Sequence, residues 1–210
     1  MDEILNELKN DYVSLLGKKS LNRLVDFVLG FQIGNELEFT MDFRHGFLGW
    51  IQKKYEVYDY YNWDSILLWN NAMSDSLAFD AFFTDLATFI ESDEAKELHA
   101  VGEKYSLYTL FSKTKNRPAL FFGNKGLKKA YFFLNGYDYG FSKANEHRSE
   151  LNEKFQKWIE IKFGVTTGQE WYRIINFYSE TEDDAIKNFY QLFDEFLIDT
   201  TGKNIEQSAK

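Results

Sequence analysis

Apolar residues along this chain recur at helical spacing, and the pattern occurs twice. Leu21, Leu24, Val28 and Phe31 are separated by three, four and three positions, which is one face of an α-helix. Ser20 stands where an N-cap belongs, and Gly34 where glycine would end the helix. Phe47, Trp50, Ile51 and Tyr55 share a face of a second helix, and Trp63, Ile66, Leu67 and Asn70 begin a third. The run from Ala78 to Ile90 is apolar almost all round and predicts a central fourth helix. Residues 3–16 predict an opening helix.

The same order then returns. Gly17, Lys19, Leu21, Phe27, Gly30 and Gly34 recur as Gly123, Lys125, Leu127, Phe133, Gly136 and Gly140. "FLGWIQKKY" from Phe47 returns as "FQKWIEIKF" from Phe155, and Trp63 and Ile66 return as Trp171 and Ile174. Ala78, Phe82, Phe83, Leu86 and Phe89 return as Ala185, Phe189, Tyr190, Phe193 and Phe196. The offset stays between 106 and 108, so only small insertions separate the copies. In the second copy residues 105–112 take the part of the opening helix, Gly140 that of a stop, and Thr181 with Asp184 fits a capping box. Gly30 and Gly136 sit inside helical patterns, where glycine costs about 1 kcal/mol against alanine. A close helix crossing explains their retention.

The expected fold is therefore all-α: two tandem repeats of a roughly 100-residue multi-helix unit, packed face to face as a pseudo-twofold pair. The expected units are 1–100 and 101–200, with the hinge near 91–103 and a loose tail over 201–210. The repeated aromatics are read as core.

Composition supports this and narrows the chemistry. Hydrophobic residues make up 44% and aromatics 19%, enough for a substantial core. A single proline, Pro118, suits long helices. With no cysteine, disulfides, thiolate metal sites and a cysteine nucleophile are excluded. The acidic, amphipathic start lacks the pattern of a signal peptide, and no apolar run has the length to span a bilayer, so a cytoplasmic protein without a membrane partner is expected.

Formal net charge is −9, which disfavours nucleic acid as a partner. The charge is uneven. Residues 1–100 carry 18 acids against 8 bases, while 101–210 carry 15 against 16, so the first half holds the excess. From Glu56 to Glu97 there are ten acids and one base, Lys96. Such a stretch is either a solvated face or an acidic docking surface for a basic partner.

Familiar catalytic patterns are missing. "GKKS" at Gly17 is not a phosphate loop, because Tyr12 stands where the motif needs glycine and Lys19 where it needs serine or threonine. His45, His99 and His147 form no metal-ligand spacing. Asp42 and His45 lie one helical turn apart and read as a polar pair. Asp85 and Asp194 interrupt apolar helices and are either exposed at a helix edge or buried with a partner. No catalytic residue, metal ligand or cofactor is assigned.

"RPALFFGNKGLKKAYFFLNGYDYG", Arg117–Gly140, resembles the Arg-Pro-x-x-Tyr-x-Gly…Ser-Leu…Phe-x-x-Gly-Tyr pattern of bacterial helical proteins of the kind found beside secreted polymorphic toxins. Phe121 and Phe122 stand near the usual aromatic, Gly126 replaces the serine, and the first unit lacks the Arg-Pro pair. The resemblance carries no catalytic residue over. It implies a non-enzymatic immunity protein that neutralises a cognate protein toxin by stoichiometric binding, and an acidic surface suits a basic toxin. The expected contact residues are Glu56, Tyr58, Asp59, Tyr60, Tyr61, Asp64, Asp75 and Asp80. They centre on "YEVYDYYNWD" (55–64), where the copies diverge most; its counterpart is "FGVTTGQEW" (163–171). Two other classes stay open: a scaffold or homodimerising adaptor, and a hydrolase with a cleft between the repeats.

Overall fold

Capping side chains and apolar stripes set the helices of this chain, and tertiary contacts then reassign several glycines. The computed structural model describes residues 2–35, 41–59, 61–96, 106–123, 126–145 and 149–210. Among them there are fourteen helices and no strand. The chain divides into two compact units, Met1–Phe27 with Glu38–Glu103, and Val28–Leu37 with Lys104–Lys210.

The first unit holds α1 (Asp2–Asn10), α2 (Tyr12–Leu16), the start of α3 (Leu21–Gly34), α4 (Met41–Tyr55), α5 (Trp63–Asn70), α6 (Asp75–Ile90) and α7 (Asp93–Lys96). The expected single opening helix breaks at Asp11, whose φ of −128° and ψ of 42° are not helical. Ser20 caps α3, its hydroxyl accepting from the Arg23 amide at 3.2 Å. The core centres on Phe47, which is fully buried. Its ring stacks on Trp50 (6.3 Å, 10°) and meets Trp63 (5.4 Å), Phe82 (5.9 Å) and Phe89 (5.3 Å) at steep angles. Trp50 reaches Phe89 at 6.0 Å, and Trp63 stacks on Phe82 at 5.2 Å.

The second unit holds the rest of α3 together with α8 (Leu107–Lys115), α9 (Ala119–Phe122), α10 (Leu127–Asn145), α11 (Leu151–Phe163), α12 (Trp171–Phe177), α13 (Glu182–Thr201) and α14 (Ile205–Ser208). Here Phe155 stacks on Trp158 (6.3 Å, 13°) and meets Trp171 (5.1 Å), Phe189 (6.1 Å) and Phe196 (5.3 Å). Trp158 reaches Phe196 at 6.1 Å, and Trp171 stacks on Phe189 at 5.3 Å. Each of these six ring pairs lies within 0.3 Å of its sequence counterpart in the first unit.

The division differs from the expected 1–100 and 101–200, because the second half of α3 belongs with the second unit. The reason is backbone packing against α10. A Cβ on Gly30 would fall 1.8 Å from the Phe133 carbonyl oxygen, and one on Gly34 2.1 Å from that of Tyr137. A Cβ on Gly140 would fall 2.3 Å from the carbonyl oxygen of Phe31. The Asn35 side-chain amide donates to the Gly140 carbonyl at 3.1 Å. Glycine is required here for close approach. Gly140 is accordingly not a helix stop, since α10 continues to Asn145.

The tail also departs from expectation. Asn204 and Gln207 form a capping box for α14, and Ile205 is fully buried. The Asp194 carboxylate accepts from the Ile205 amide at 2.8 Å, and Lys115 bridges Asp194 and Glu206. A single large apolar residue among polar and small ones gives no period to read, yet it is the one that docks.

Candidate protein-binding face

The segment between α4 and α6 carries most of the residues singled out by charge and aromaticity. The helix α4 ends in a Schellman turn: the Val57 amide reaches back to the Gln52 carbonyl at 3.0 Å, and Glu56 takes φ +55°. The second unit closes α11 in the same way, with the Val165 amide on Glu160 at 2.9 Å, but there Gly164 takes φ +64°. Left-handed backbone strains a side chain with a Cβ and leaves glycine unstrained. The first unit keeps a strained carboxylate where its counterpart has glycine.

Beyond Glu56 the chain is tethered back to α4, with the Gln52 side-chain amide donating to the Asp59 carbonyl at 3.1 Å. Glu56, Tyr58 and Asp59 are exposed, Tyr58 at 74%. The Tyr61 ring lies 5.2 Å from that of Trp69, which joins the loop to α5. Asp64 sits half-buried in the first turn of α5, where a negative charge favours the helix N-terminus. Tyr60 lies outside the described residues.

Two of the expected contact acids have partners within their own unit. Asp75 accepts from the Ser20 hydroxyl, from the Asn22 amide at 3.0 Å and from the Asn22 side chain at 3.2 Å. It is a remote cap for the N-terminus of α3. Asp80 holds Lys19 through both oxygens, at 2.7 and 2.9 Å. That hydrogen bond raises the Lys19 pKa. Of the expected eight, Glu56, Tyr58, Asp59 and Tyr61 present outward and Asp80 stays exposed beside Lys19, while Asp75 caps α3.

Charge and aromatic content do not single out Trp69 (58% exposed), Met73 (66%) and Leu77 (55%). A signal for Trp69 is present in the sequence: it falls off the Trp63, Ile66, Leu67 and Asn70 stripe, so a tryptophan there faces away from the core. Its counterpart at an offset of 108, Phe177, is 80% exposed. Ala72 and Met73 add two more left-handed non-glycine residues, at φ +53° and +59°. All three such residues among those described flank α5.

Asp85 is buried rather than at a helix edge, at 2% exposure. It accepts from the Lys54 ammonium and from the Tyr55 hydroxyl at 2.8 Å. Burial, reinforced by Asp85, pushes the Tyr55 pKa up to about 12. In the second unit a cavity of ≈ 170 Å³ is lined by Phe163, Ile175, Tyr178, Asn188, Gln191 and Leu192. The side chains of Asp42 and His45, and residues His99 and His147, lie outside the described part. Among the described residues, no three histidine, cysteine or acidic side chains are grouped to hold a metal ion, and no helix is long and apolar enough to cross a membrane.

No family model matches the chain, and no curated protein and no solved structure matches it.

Proposed function

We propose that this protein is a binding module of the immunity type, which neutralises a basic protein toxin by stoichiometric contact through its first unit. The observation that carries this reading is the exposed acidic and aromatic turn at Glu56, Tyr58, Asp59 and Tyr61. The Gln52 side chain tethers it at the Asp59 carbonyl, and its counterpart in the second unit has one acid, Glu170, and no tyrosine. Tyrosine is a preferred anchor at protein interfaces, and clustered carboxylates speed encounter with a basic partner. On this reading the chain is two copies of one helical unit, in which the matching ring pairs preserve the scaffold while the loop before α5 diverges. The reciprocal contacts of Gly34 with Tyr137 and of Gly140 with Phe31 support α3 and α10 as corresponding helices.

Co-expression with the product of the neighbouring gene tests this. Rescued growth with a one-to-one complex is the expected result. Toxicity relieved without a complex would point to an enzyme that reverses the damage. An adaptor is the second reading, and Trp69 and Phe177 favour it, because each unit exposes an aromatic at the same position of α5 and of its counterpart α12. An adaptor would bind a partner with no toxic neighbour present.

A further inference from the structure

We propose that α5 and the loop before it form a docking face for an arginine-rich segment of a protein partner, with Trp69 and Tyr61 as its anchors. This rests on the protein-binding reading above but not on the partner being a toxin.

Four observations converge on this face. Five of the twelve large apolar side chains exposed among the described residues fall between Tyr58 and Leu77. Single exposed apolar residues are ordinary, whereas exposed apolar side chains in contact with one another mark a contact surface, and Tyr61 and Trp69 are such a pair. The Tyr61–Trp69 contact at 5.2 Å gives loop and helix a shared aromatic surface. The chain carries no lysine or arginine between Lys54 and Lys96, so the exposed carboxylates of Glu56 and Asp59 have no cation from their own segment. Finally, the left-handed Glu56, Ala72 and Met73 bracket α5, and strain of this kind persists where surrounding structure or function holds it.

The chemistry of the face selects the occupant. Indole and phenol faces attract a cation through the ring quadrupole, and a planar guanidinium both stacks on them and bonds a carboxylate through two N–H groups. An ammonium does neither as well. Nucleic acid and anionic lipid are repelled by the same carboxylates.

The test uses the full chain with a polyarginine peptide and a polylysine peptide of equal length, by calorimetry at physiological salt. Expected are tighter binding of the arginine peptide and a loss of about tenfold for the Tyr61→Ala, Trp69→Ala double variant. Glu56→Gln with Asp59→Asn should weaken binding comparably. Glu180→Gln with Asp183→Asn removes the same charge elsewhere and should change affinity by less than about twofold. Both anchors are exposed, and unchanged thermal melting of the variants confirms an intact fold. Equal affinity for the two peptides, or equal effects of the two acid pairs, would reduce the binding to net charge and overturn the proposal. Absence of binding would overturn it too, as would Trp69-dependent self-association in ultracentrifugation, which would make a second copy the occupant. If peptide binding behaves as expected while the neighbouring gene product neither poisons nor binds, the immunity reading fails and this face stands.

Discussion

Gly34 and Tyr137 meet backbone to backbone: a Cβ on the glycine would stand 2.1 Å from the carbonyl oxygen of the tyrosine. Its converse is Gly140 against Phe31, at 2.3 Å. Under the offset of 106 Gly34 maps onto Gly140 and Phe31 onto Tyr137, so the two contacts exchange. Alanine at Gly34 forces two helices apart, and a displacement of this kind costs about 1–3 kcal/mol or more. That outweighs the gain of about 1 kcal/mol in helix propensity. Gly49 in α4 is exposed, and a Cβ there would meet nothing within 4 Å, so Gly49→Ala should show that gain by itself. Urea melts should move in opposite directions for the two variants.

Glu56 and Gly164 make a matched pair for backbone strain. Glu56→Gly should stabilise the chain by about 1 kcal/mol, and Gly164→Ala should destabilise it by a similar amount. Nothing lies within 4 Å of a Cβ on Gly164, so that cost is conformational and not steric. Chemical denaturation of the two variants measures it. A stabilised Glu56→Gly protein with weakened partner binding would mark the residue as retained for contact.

The buried carboxylate of Asp85 depends on Lys54. Lys54→Met leaves a buried acid without its counter-charge and should cost about 3 kcal/mol. Adding Asp85→Leu, which matches Leu192 at the counterpart position, should recover most of that loss. A double-mutant cycle in denaturant reads the coupling, and additive effects would show that the pair does not act as a unit.

Asp138 accepts from the Ser149 hydroxyl, the Leu151 amide at 3.1 Å and the Asn152 amide at 2.8 Å, and so caps α11 from a distance. Burial nonetheless outweighs these bonds and raises its pKa above the ordinary 3.8. The folded state therefore binds a proton more readily than the unfolded one. The contribution of this group is fully present below 3.8 and is lost as pH rises through the raised folded value. Carbon-detected NMR titration should place its midpoint above 3.8. The stability difference between the native chain and Asp138→Asn should fall as pH rises across that window.

What the sequence determined by itself were features set by neighbours in the chain. The stripe through Leu21, Leu24, Val28 and Phe31, the cap at Ser20 and the recurring Phe-x-x-Trp spacing all rest on local geometry, and the helices follow from them. The aromatic and acidic loop before α5 was legible for the same reason, as a departure between two copies. Tertiary structure decided which side chains are left for a partner. Asp75 looks no different from Asp59 in sequence, but Ser20 and Asn22, more than fifty positions away, claim it. It also decided the use of the glycines. Gly34 ends α3 as its sequence suggests, but Gly140 reads as a helix stop until the opposing carbonyl of Phe31 is in place. Local spacing fixes helical periodicity through short-range sterics and hydrogen bonds, whereas burial, ion pairing and backbone approach depend on groups distant along the chain.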